Sequence, residues 1–272
     1  MNNYKKWLTA PGTLTLLVFA VAPLFIMLFY SFRNDSGAGF TLQNYVRFFE
    51  KSFYLKLTGR TVISSLTVTV ISLLISYPLA YIMAKKLKGI RNIVLMLIII
   101  PFFTNQLVRV YSWLIFLQDG GVLEEMLNVL GMAQDGLGIL YTRTAVVISL
   151  VHIFFPYMVI TIYIALERID NALLEASKSL GASAVTTFFR VTLPMSWSGV
   201  VSGILLVFVP CLGCFVEPRI LGGVDGMFIG NVIEDQFFEI YGWNFGAAIA
   251  FLLFAMVLVA MALIHRMGGE KQ

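Results

Sequence analysis

Six apolar runs, each about twenty residues long, constrain this chain more than any other feature. A helix needs roughly 20 apolar residues to cross a hydrocarbon layer about 30 Å thick. Of the 272 residues, 59% are hydrophobic and only 12% are charged, which is too much apolar surface for a water-soluble core. The sequence therefore predicts an all-α membrane protein, a single domain over residues 1–272 with six transmembrane helices. The runs cover about residues 12–32, 61–84, 93–117, 143–166, 198–217 and 244–265.

The first run resembles a signal peptide as well as a transmembrane helix. Lys5 and Lys6 precede it, and the small residues Ala20 and Ala22 lie inside it. A cleaved leader ends near such small residues. The apolar run continues past Pro23 to residue 32, so we expect the first helix to be retained.

Basic residues predict which side of the membrane each loop faces. Lys85, Lys86, Lys88 and Arg91 crowd the short link after the second run, and segment 1–11 is also basic. Cytoplasmic loops carry an excess of Lys and Arg. We therefore expect a multi-pass protein of the cytoplasmic (inner) membrane of a bacterium, with both termini cytoplasmic.

Small residues recur at helical spacing in three of the runs. Such stripes let helix backbones approach closely inside lipid. We expect them to serve packing within the chain. The stripes are Ser65, Thr69, Ser72, Ser76 and Ala80 in the second run, Gly199 and Gly203 in the fifth, and Gly242, Gly246 and Ala250 in the sixth.

The polar segment at about 167–197, between the fourth and fifth runs, is patterned as two short helices. Asp170 is placed to cap the first helix and Gly181 to end it. Ser183 is placed to cap the second helix, and Pro194 to end it. A short amphipathic helix at this position offers a rigid surface to the groove of a partner.

The same segment carries a spaced motif: E-A-S, three residues, G, nine residues, V, one residue, L-P. It resembles the EAA loop of ABC importer permeases, which has Ala in place of Ser177 and Ile in place of Val191. An ordinary interfacial helix pair is the alternative. The resemblance implies that an ATPase-coupling surface is formed by Glu175, Ala176, Ser177, Gly181, Val191, Leu193 and Pro194.

The resemblance also implies the type I importer permease fold and a set of partners. These are a second homologous permease subunit, two ATP-binding ATPase subunits and an external solute-binding protein, with membrane lipid around the spans. The chain lacks the phosphate-binding motif G-x-x-x-x-G-K-[ST] of ATPases. We therefore expect ATP and Mg²⁺ to bind to the partner ATPase, and we expect this chain to bind no cofactor. We expect neither enzymatic activity nor catalytic residues in this chain. The sequence lacks a basic patch with interspersed aromatic residues, so we do not expect it to bind nucleic acid.

Four further segments resemble one group of importer permeases more closely than the others. They are 101–111, 120–121, 221–223 and 229–233. They look like the permease subunits of spermidine/putrescine importers. This implies that the chain forms half of a translocation path for polyamines. Permeases for iron, sulfate, opine or amino-acid-like solutes share part of the pattern, so these solutes stay open.

A path for ammonium groups needs carboxylates or aromatic faces and a wet cavity. Pro101 predicts a broken third helix that exposes polar groups. The related subunits commonly have a Pro-acid pair where this chain reads Glu217-Pro218-Arg219, so pore lining and solvation at a helix end both stay open for Glu217. The candidate path residues are Thr104, Asn105, Gln106, Tyr111, Trp113 and Glu217.

Arg109 counts against a purely cation-friendly cavity, because an unpaired guanidinium repels a polyamine. A salt bridge or a place near the outer surface removes the objection.

Other chemistries have weaker support. Cys211 and Cys214 have the spacing of half a zinc site, but no second Cys pair exists, so we expect no metal. We expect His152 to pack between helices, with ligation as the alternative. A secondary transporter needs intramembrane acids in matching halves, and these are nearly absent. No convergent catalytic set indicates a membrane-embedded enzyme.

Overall fold

A computed structural model describes residues 11–34, 39–87, 89–131 and 136–269 of the chain, without the side chains of 265 and 267–269. The predictions for Lys5, Lys6 and Lys88 fall outside the described residues. The described part is built from helices and the turns that connect them. The helices are α1 (Pro11–Ser31), α2 (Gln43–Glu50), α3 (Ser52–Lys85), α4 (Arg91–Ile99), α5 (Gln106–Leu117), α6 (Val122–Val129), α7 (Arg143–Glu167), α8 (Asn171–Ser179), α9 (Ala184–Thr187), α10 (Leu193–Met195), α11 (Trp197–Leu212), α12 (Val216–Leu221), α13 (Ile229–Phe238) and α14 (Trp243–Gly269).

Four of these helices are long and apolar enough to cross a membrane: α1, α3, α7 and the Trp243–Ile264 part of α14. Two further candidates are bent pairs of helices. Arg91–Phe103 and Gln106–Val129 meet at 96°, and Ala184–Met195 and Trp197–Leu212 meet at 63°. Counting each bent pair as one span gives six spans, so the predicted all-α membrane fold is confirmed.

The predicted third span, 93–117, is not one continuous helix. After α4 the chain makes a 3₁₀ turn, Ile100–Phe103, with Pro101 in its first positions. Thr104 is extended, and Asn105 starts α5 by accepting a hydrogen bond from Leu107 N at 2.8 Å. A helix cap of this kind begins a new helix instead of continuing the old one. The break that Pro101 predicted therefore exists, and the second half of the run turns away.

Two predicted boundaries near the fifth span are also wrong. The span 198–217 ends as a helix at Leu212, and Glu217 lies on the separate short helix α12. Pro194 does not end the second loop helix, since helical structure continues through α10 to Met195. Proline is tolerated in the first turn of a helix, where its missing N–H has no intrahelical partner. A π-helical turn, Phe188–Thr192, precedes it.

The described residues form two compact units. One consists of Met1–Lys56 and Val232–Val257 within the described ranges. Aromatic side chains pack at the centre of this unit. The ring of Tyr54 stacks on Phe48, with centroids 5.9 Å apart, and meets the ring of Phe245 edge-on, with centroids 5.2 Å apart. The amide of Asn44 donates to the main-chain oxygen of Ser31 at 3.0 Å. These contacts fix α2 against the end of α1.

The other unit consists of Leu57–Asn231 and Leu258–Gln272, and its core is the packing of α7 on α11. Gly199 and Gly203 are buried where a Cβ would meet Ala165, Thr161 or Met158. The stripe on α3 is also buried: Ser65, Thr69, Ser72, Ser76 and Ala80 are at most 4% exposed. Packing within the chain is confirmed for these residues. The single domain over 1–272 stays a prediction.

Candidate functional site

The loop between α7 and α11 has the two helices that its capping residues predict. The side chain of Asp170 accepts a hydrogen bond from Ala172 N at 2.9 Å, which caps α8. Gly181 follows α8 with a φ of 82°, a left-handed conformation that favours glycine. Ser183 accepts from Thr186 N at 3.1 Å and caps α9. These three predictions are confirmed.

Helix α8 presents two different faces. Leu174 is half-buried and packs against the hydrophobic core. Leu173, Ala176 and Leu180 share the opposite face, and all three are exposed, Leu180 to 89%. Residues at this spacing form one stripe on a helix. An apolar stripe on α8 is therefore open for contact, and the carboxylate of Glu175 on the same helix is also exposed.

The rest of the motif joins the loop to the body of the protein. The hydroxyls of Ser177 and Thr187 lie 2.9 Å apart and tie α8 to α9. Val191 and Leu193 are half-buried, and Leu193 packs against the core, whereas Pro194 is exposed. Ser177, where the EAA loop has Ala, uses its hydroxyl for this tie.

Basic residues of the 85–91 link hold the start of the same loop. Lys85 Nζ donates to the main-chain oxygen of Ile169 at 2.6 Å and to Asn171 Oδ1 at 3.2 Å. Arg91 and Glu167 form an ion pair at 2.6 Å, with both side chains about two-fifths exposed. The sequence assigned these basic residues only to orientation. Their position at the end of a span was the one feature of the sequence that could have indicated their contact with the 167–197 loop.

The opposite end of α3 binds a different segment. Arg60 donates to the main-chain oxygen of Asp225 at 2.9 Å, and the hydroxyl of Thr61 accepts from Ile229 N at 2.9 Å. Thr61 and Lys85 are about 36 Å apart along the helix at 1.5 Å per residue. The loop 167–197 and the segment 222–229 therefore lie at opposite ends of a helix long enough to cross a bilayer.

Glu217, the candidate carboxylate of the path, is only 1% exposed. Gln106 Nε2 donates to its Oε1 at 2.9 Å. No described residue forms an ion pair with Glu217. Solvation at a helix end is thereby excluded for this carboxylate. The structure thus brings the predicted path residues Gln106 and Glu217 together.

Thr104 and Trp113 line a cavity of about 420 Å³ between α5 and α7, together with Val108, Arg109, Ser112, Phe116 and His152. The Nε of Arg109 is buried there without a hydrogen-bond partner, and no described residue pairs with its charge. Trp113 Nε1 donates to His152 Nδ1 at 3.2 Å. Because an indole N–H only donates, Nδ1 is the acceptor and Nε2 carries the ring proton. The salt bridge considered for Arg109 is absent from the described part of the chain.

Two path candidates, Asn105 and Tyr111, belong neither to the cavity lining nor to the Gln106–Glu217 pair. Asn105 is occupied as the cap of α5, and Thr104 donates to the main-chain oxygen of Pro101 at 2.6 Å. Tyr111 is 54% exposed and is not among the residues that line the cavity. The broken third span therefore divides its polar residues among a helix cap, a hydrogen bond to the buried Glu217 and a cavity wall.

Comparison with known proteins finds relatives over almost the whole chain. The spermidine/putrescine transport system permease protein PotB of Salmonella typhimurium LT2 is 38% identical over 97% of this chain and 94% of its own length. PotB of Escherichia coli K12 is 37% identical over 94% of each chain. A bacterial alginate ABC transporter, crystallised with an alginate pentasaccharide-bound periplasmic protein, superimposes with a TM-score of 0.73 at 20% identity over 97% of this chain and 95% of that one.

The structural likeness confirms the predicted type I importer permease fold, and the sequence matches give the family. Residues 72–267, which include the whole 167–197 loop and the Gln106–Glu217 pair, match the family described as binding-protein-dependent transport system inner membrane component. This chain belongs to that family of multi-pass importer permeases.

Proposed function

We propose that this chain is one permease subunit of an ABC importer for polyamines. It forms half of the translocation path and couples it to separate ATPase subunits. The proposal rests on the relatives described above, which are named spermidine/putrescine permeases at 37 and 38% identity.

The exposed stripe of Leu173, Ala176 and Leu180 on α8 is the observation that carries the coupling role. The three apolar side chains lie on one face of a helix, which is the pattern by which an amphipathic helix contacts the groove of a partner. Ser177–Thr187 and Lys85–Ile169 hold α8 in a fixed position on the body of the protein. A rigid apolar stripe on α8 fits the groove of a partner subunit. In the proposal that partner is the ATPase, present in two copies, which binds ATP and Mg²⁺.

The orientation follows from the basic end of α3. Lys85 and Arg91 bind the start of the coupling loop, so the link and the loop share one side of the membrane. Short loops rich in Lys and Arg face the cytoplasm. The 167–197 loop is therefore assigned to the cytoplasm together with both termini. An impermeant thiol reagent should label single cysteines placed at 171–193 only in inverted vesicles, and labelling from outside contradicts the assignment.

The opposite end of α3, with the segment 222–229, is assigned to the external face. The alginate transporter was crystallised with a periplasmic protein, which supports an external solute-binding protein for this chain as well. A second homologous permease subunit completes the path, as expected for half of a translocation pathway.

Glu217 is the residue that we assign to ammonium recognition. A buried carboxylate without an ion pair lacks compensation for its charge. Gln106 offers it only a neutral amide. A primary ammonium of a polyamine provides a charged donor at the same oxygen, and a charge-assisted hydrogen bond is roughly twice as strong as a neutral one. Access to Glu217 then requires that Gln106 moves away.

Arg109 favours a second candidate, an importer for a solute that bears an acidic group, such as an opine-type or amino-acid-like solute. The cavity beside Thr104 and Trp113 contains the guanidinium of Arg109 and the imidazole of His152. None of the described residues that line it carries a carboxylate. Such a lining suits an anionic group better than an ammonium.

Uptake by the complete importer in proteoliposomes decides between the two candidates. Labelled spermidine and putrescine are offered with ATP, and unlabelled polyamines or carboxylate-bearing solutes compete. The polyamine proposal expects ATP-dependent uptake of at least one polyamine that acidic solutes do not suppress. Absence of polyamine uptake, with uptake of an acidic solute, contradicts the proposal and supports the second candidate.

A further inference from the structure

The coupling loop joins the fifth span at a single buried residue, Ser196. It lies between α10 and α11, with φ −91° and ψ 1°, and the helices on either side of it meet at 63°. Its side chain is fully buried, and its Oγ donates to the main-chain oxygen of Leu193 at 3.2 Å. Any change in the angle between loop and span therefore passes through Ser196.

Tyr77 of α3 holds this residue from the side. Its hydroxyl lies 2.8 Å from Ser196 Oγ, in a buried contact between residues 119 positions apart in the sequence. Tyr77 can donate in this bond while the proton of Ser196 Oγ goes to the main-chain oxygen of Leu193, so the two bonds are compatible. The ring of Tyr77 also meets Phe188 edge-on, with centroids 5.5 Å apart. One side chain thus contacts both ends of the stretch 188–196, which consists of the π-helical turn, α10 and Ser196.

The stretch 188–196 is also tied to α8. Thr187, whose hydroxyl lies 2.9 Å from that of Ser177 on α8, directly precedes Phe188. Beyond Ser196, α11 packs against α7 without space for a Cβ at Gly199 or Gly203. A continuous series of contacts therefore runs from α8 through Tyr77 to the tightly packed α11.

We propose that Tyr77 is a positioning residue for coupling, which fixes the angle at Ser196 so that displacement of the coupling loop moves the fifth span. The inference rests on the proposed docking of an ATPase at the loop. Without the Tyr77 hydroxyl, Ser196 keeps its bond to Leu193 and Phe188 keeps its aromatic neighbour. The loop then rotates about Ser196 without carrying α11 with it.

The test uses Tyr77→Phe in the complete importer reconstituted in proteoliposomes. The measured quantity is solute transported per ATP hydrolysed, which does not depend on how much complex assembles. We expect normal association of the ATPase and normal hydrolysis, but about fivefold less transport per ATP, the size of effect that one buried hydrogen bond gives. Tyr45→Phe is the matched control, because it removes another Tyr–Ser hydroxyl contact, 2.7 Å to Ser31, outside the stretch 188–196. It should leave the ratio unchanged.

Two further variants test whether the hydroxyls of Tyr77 and Ser196 act together: Ser196→Ala alone, and Ser196→Ala combined with Tyr77→Phe. If the two hydroxyls act together, Ser196→Ala lowers the ratio as Tyr77→Phe does, and the double variant is no worse than either single one. An unchanged ratio in Tyr77→Phe, or effects that multiply in the double variant, overturns the proposal. Should Tyr77→Phe fail to assemble, Ser196→Ala is judged alone by the same ratio.

These outcomes are separable from a failure of the proposed function. If the loop does not dock an ATPase, Gly181→Val also leaves ATPase association intact. If the loop docks but Tyr77 has no positioning role, Gly181→Val weakens association while Tyr77→Phe keeps the wild-type ratio.

Discussion

Lys85 and Ile169 are joined by a hydrogen bond of 2.6 Å from the ammonium nitrogen to the main-chain oxygen. The bond connects the last residue of α3 to the residue before the cap of α8. Lys85 also reaches the side chain of Asn171. The start of the coupling loop is thereby fixed to a span that runs to the opposite end of the unit, where Thr61 binds Ile229.

Replacing Lys85 by Met should loosen the start of the loop. The methionine keeps most of the apolar stem but loses both donated hydrogen bonds, at a local cost of roughly 1 kcal/mol. We expect amide hydrogen exchange in residues 167–180 to quicken about fivefold and less ATPase to co-purify. The exposed neighbour Lys86 supplies the control, as Lys86→Met should change neither quantity. Equal effects of the two substitutions would show that Lys85 acts only through net charge.

Glu217→Gln should weaken polyamine uptake more than Glu239→Gln. Glu217 is buried beside Gln106, whereas Glu239 is exposed at the end of α13. The substitution keeps the size of the side chain and removes the charge that we assign to the ammonium. We expect about tenfold lower uptake at matched expression for the first variant, equivalent to roughly 1.4 kcal/mol, and little change for the second. Similar uptake in both variants would remove Glu217 from the path.

Gly199→Ala should destabilise the permease. Its Cβ would meet the Cβ of Ala165 and the main-chain oxygen of Thr161, and overpacking of a close helix pair costs about 1 to 3 kcal/mol. Gly59→Ala is the control, since Gly59 lies in α3 with no atom within 4 Å of an added Cβ. Thermal unfolding in detergent should show a lower midpoint for the first variant and an equal or higher one for the second. A stable Gly199→Ala permease would contradict the close packing of α7 on α11.

Local patterns in the sequence predicted the local structure of the site. Asp170, Gly181 and Ser183 act on backbone groups within three residues of themselves, so their spacing alone determines what they do. The length of the apolar runs likewise predicted the number of spans.

Contacts between distant segments could not be predicted in this way. Pro101 predicted the break in the third run, but the sequence has no signal for the angle of 96° between its two halves. Glu217 looked like a residue at a helix end, but tertiary packing buries it against Gln106, 111 positions away. The Tyr77–Ser196 bond has no signal in the sequence at all, because neither residue belongs to a motif.

The central claim is that the 167–197 loop docks an ATPase, and Gly181 tests it most directly. Its φ of 82° costs any residue with a Cβ roughly 1 kcal/mol or more, although no neighbouring atom lies within 4 Å of that Cβ. Gly181→Val therefore re-aims α8 through the backbone alone. Gly131→Val is the matched control, with a φ of 71° and equally open surroundings in a different loop. Glu175→Lys should show a smaller effect of the same kind.

The decisive measurement is the amount of ATPase that co-purifies with the membrane-inserted Gly181→Val permease, together with its transport-coupled ATP hydrolysis. The account predicts that both fall strongly in Gly181→Val and stay at the wild-type level in Gly131→Val. Wild-type association and uptake in Gly181→Val would contradict the account, because the loop would then not be a coupling element.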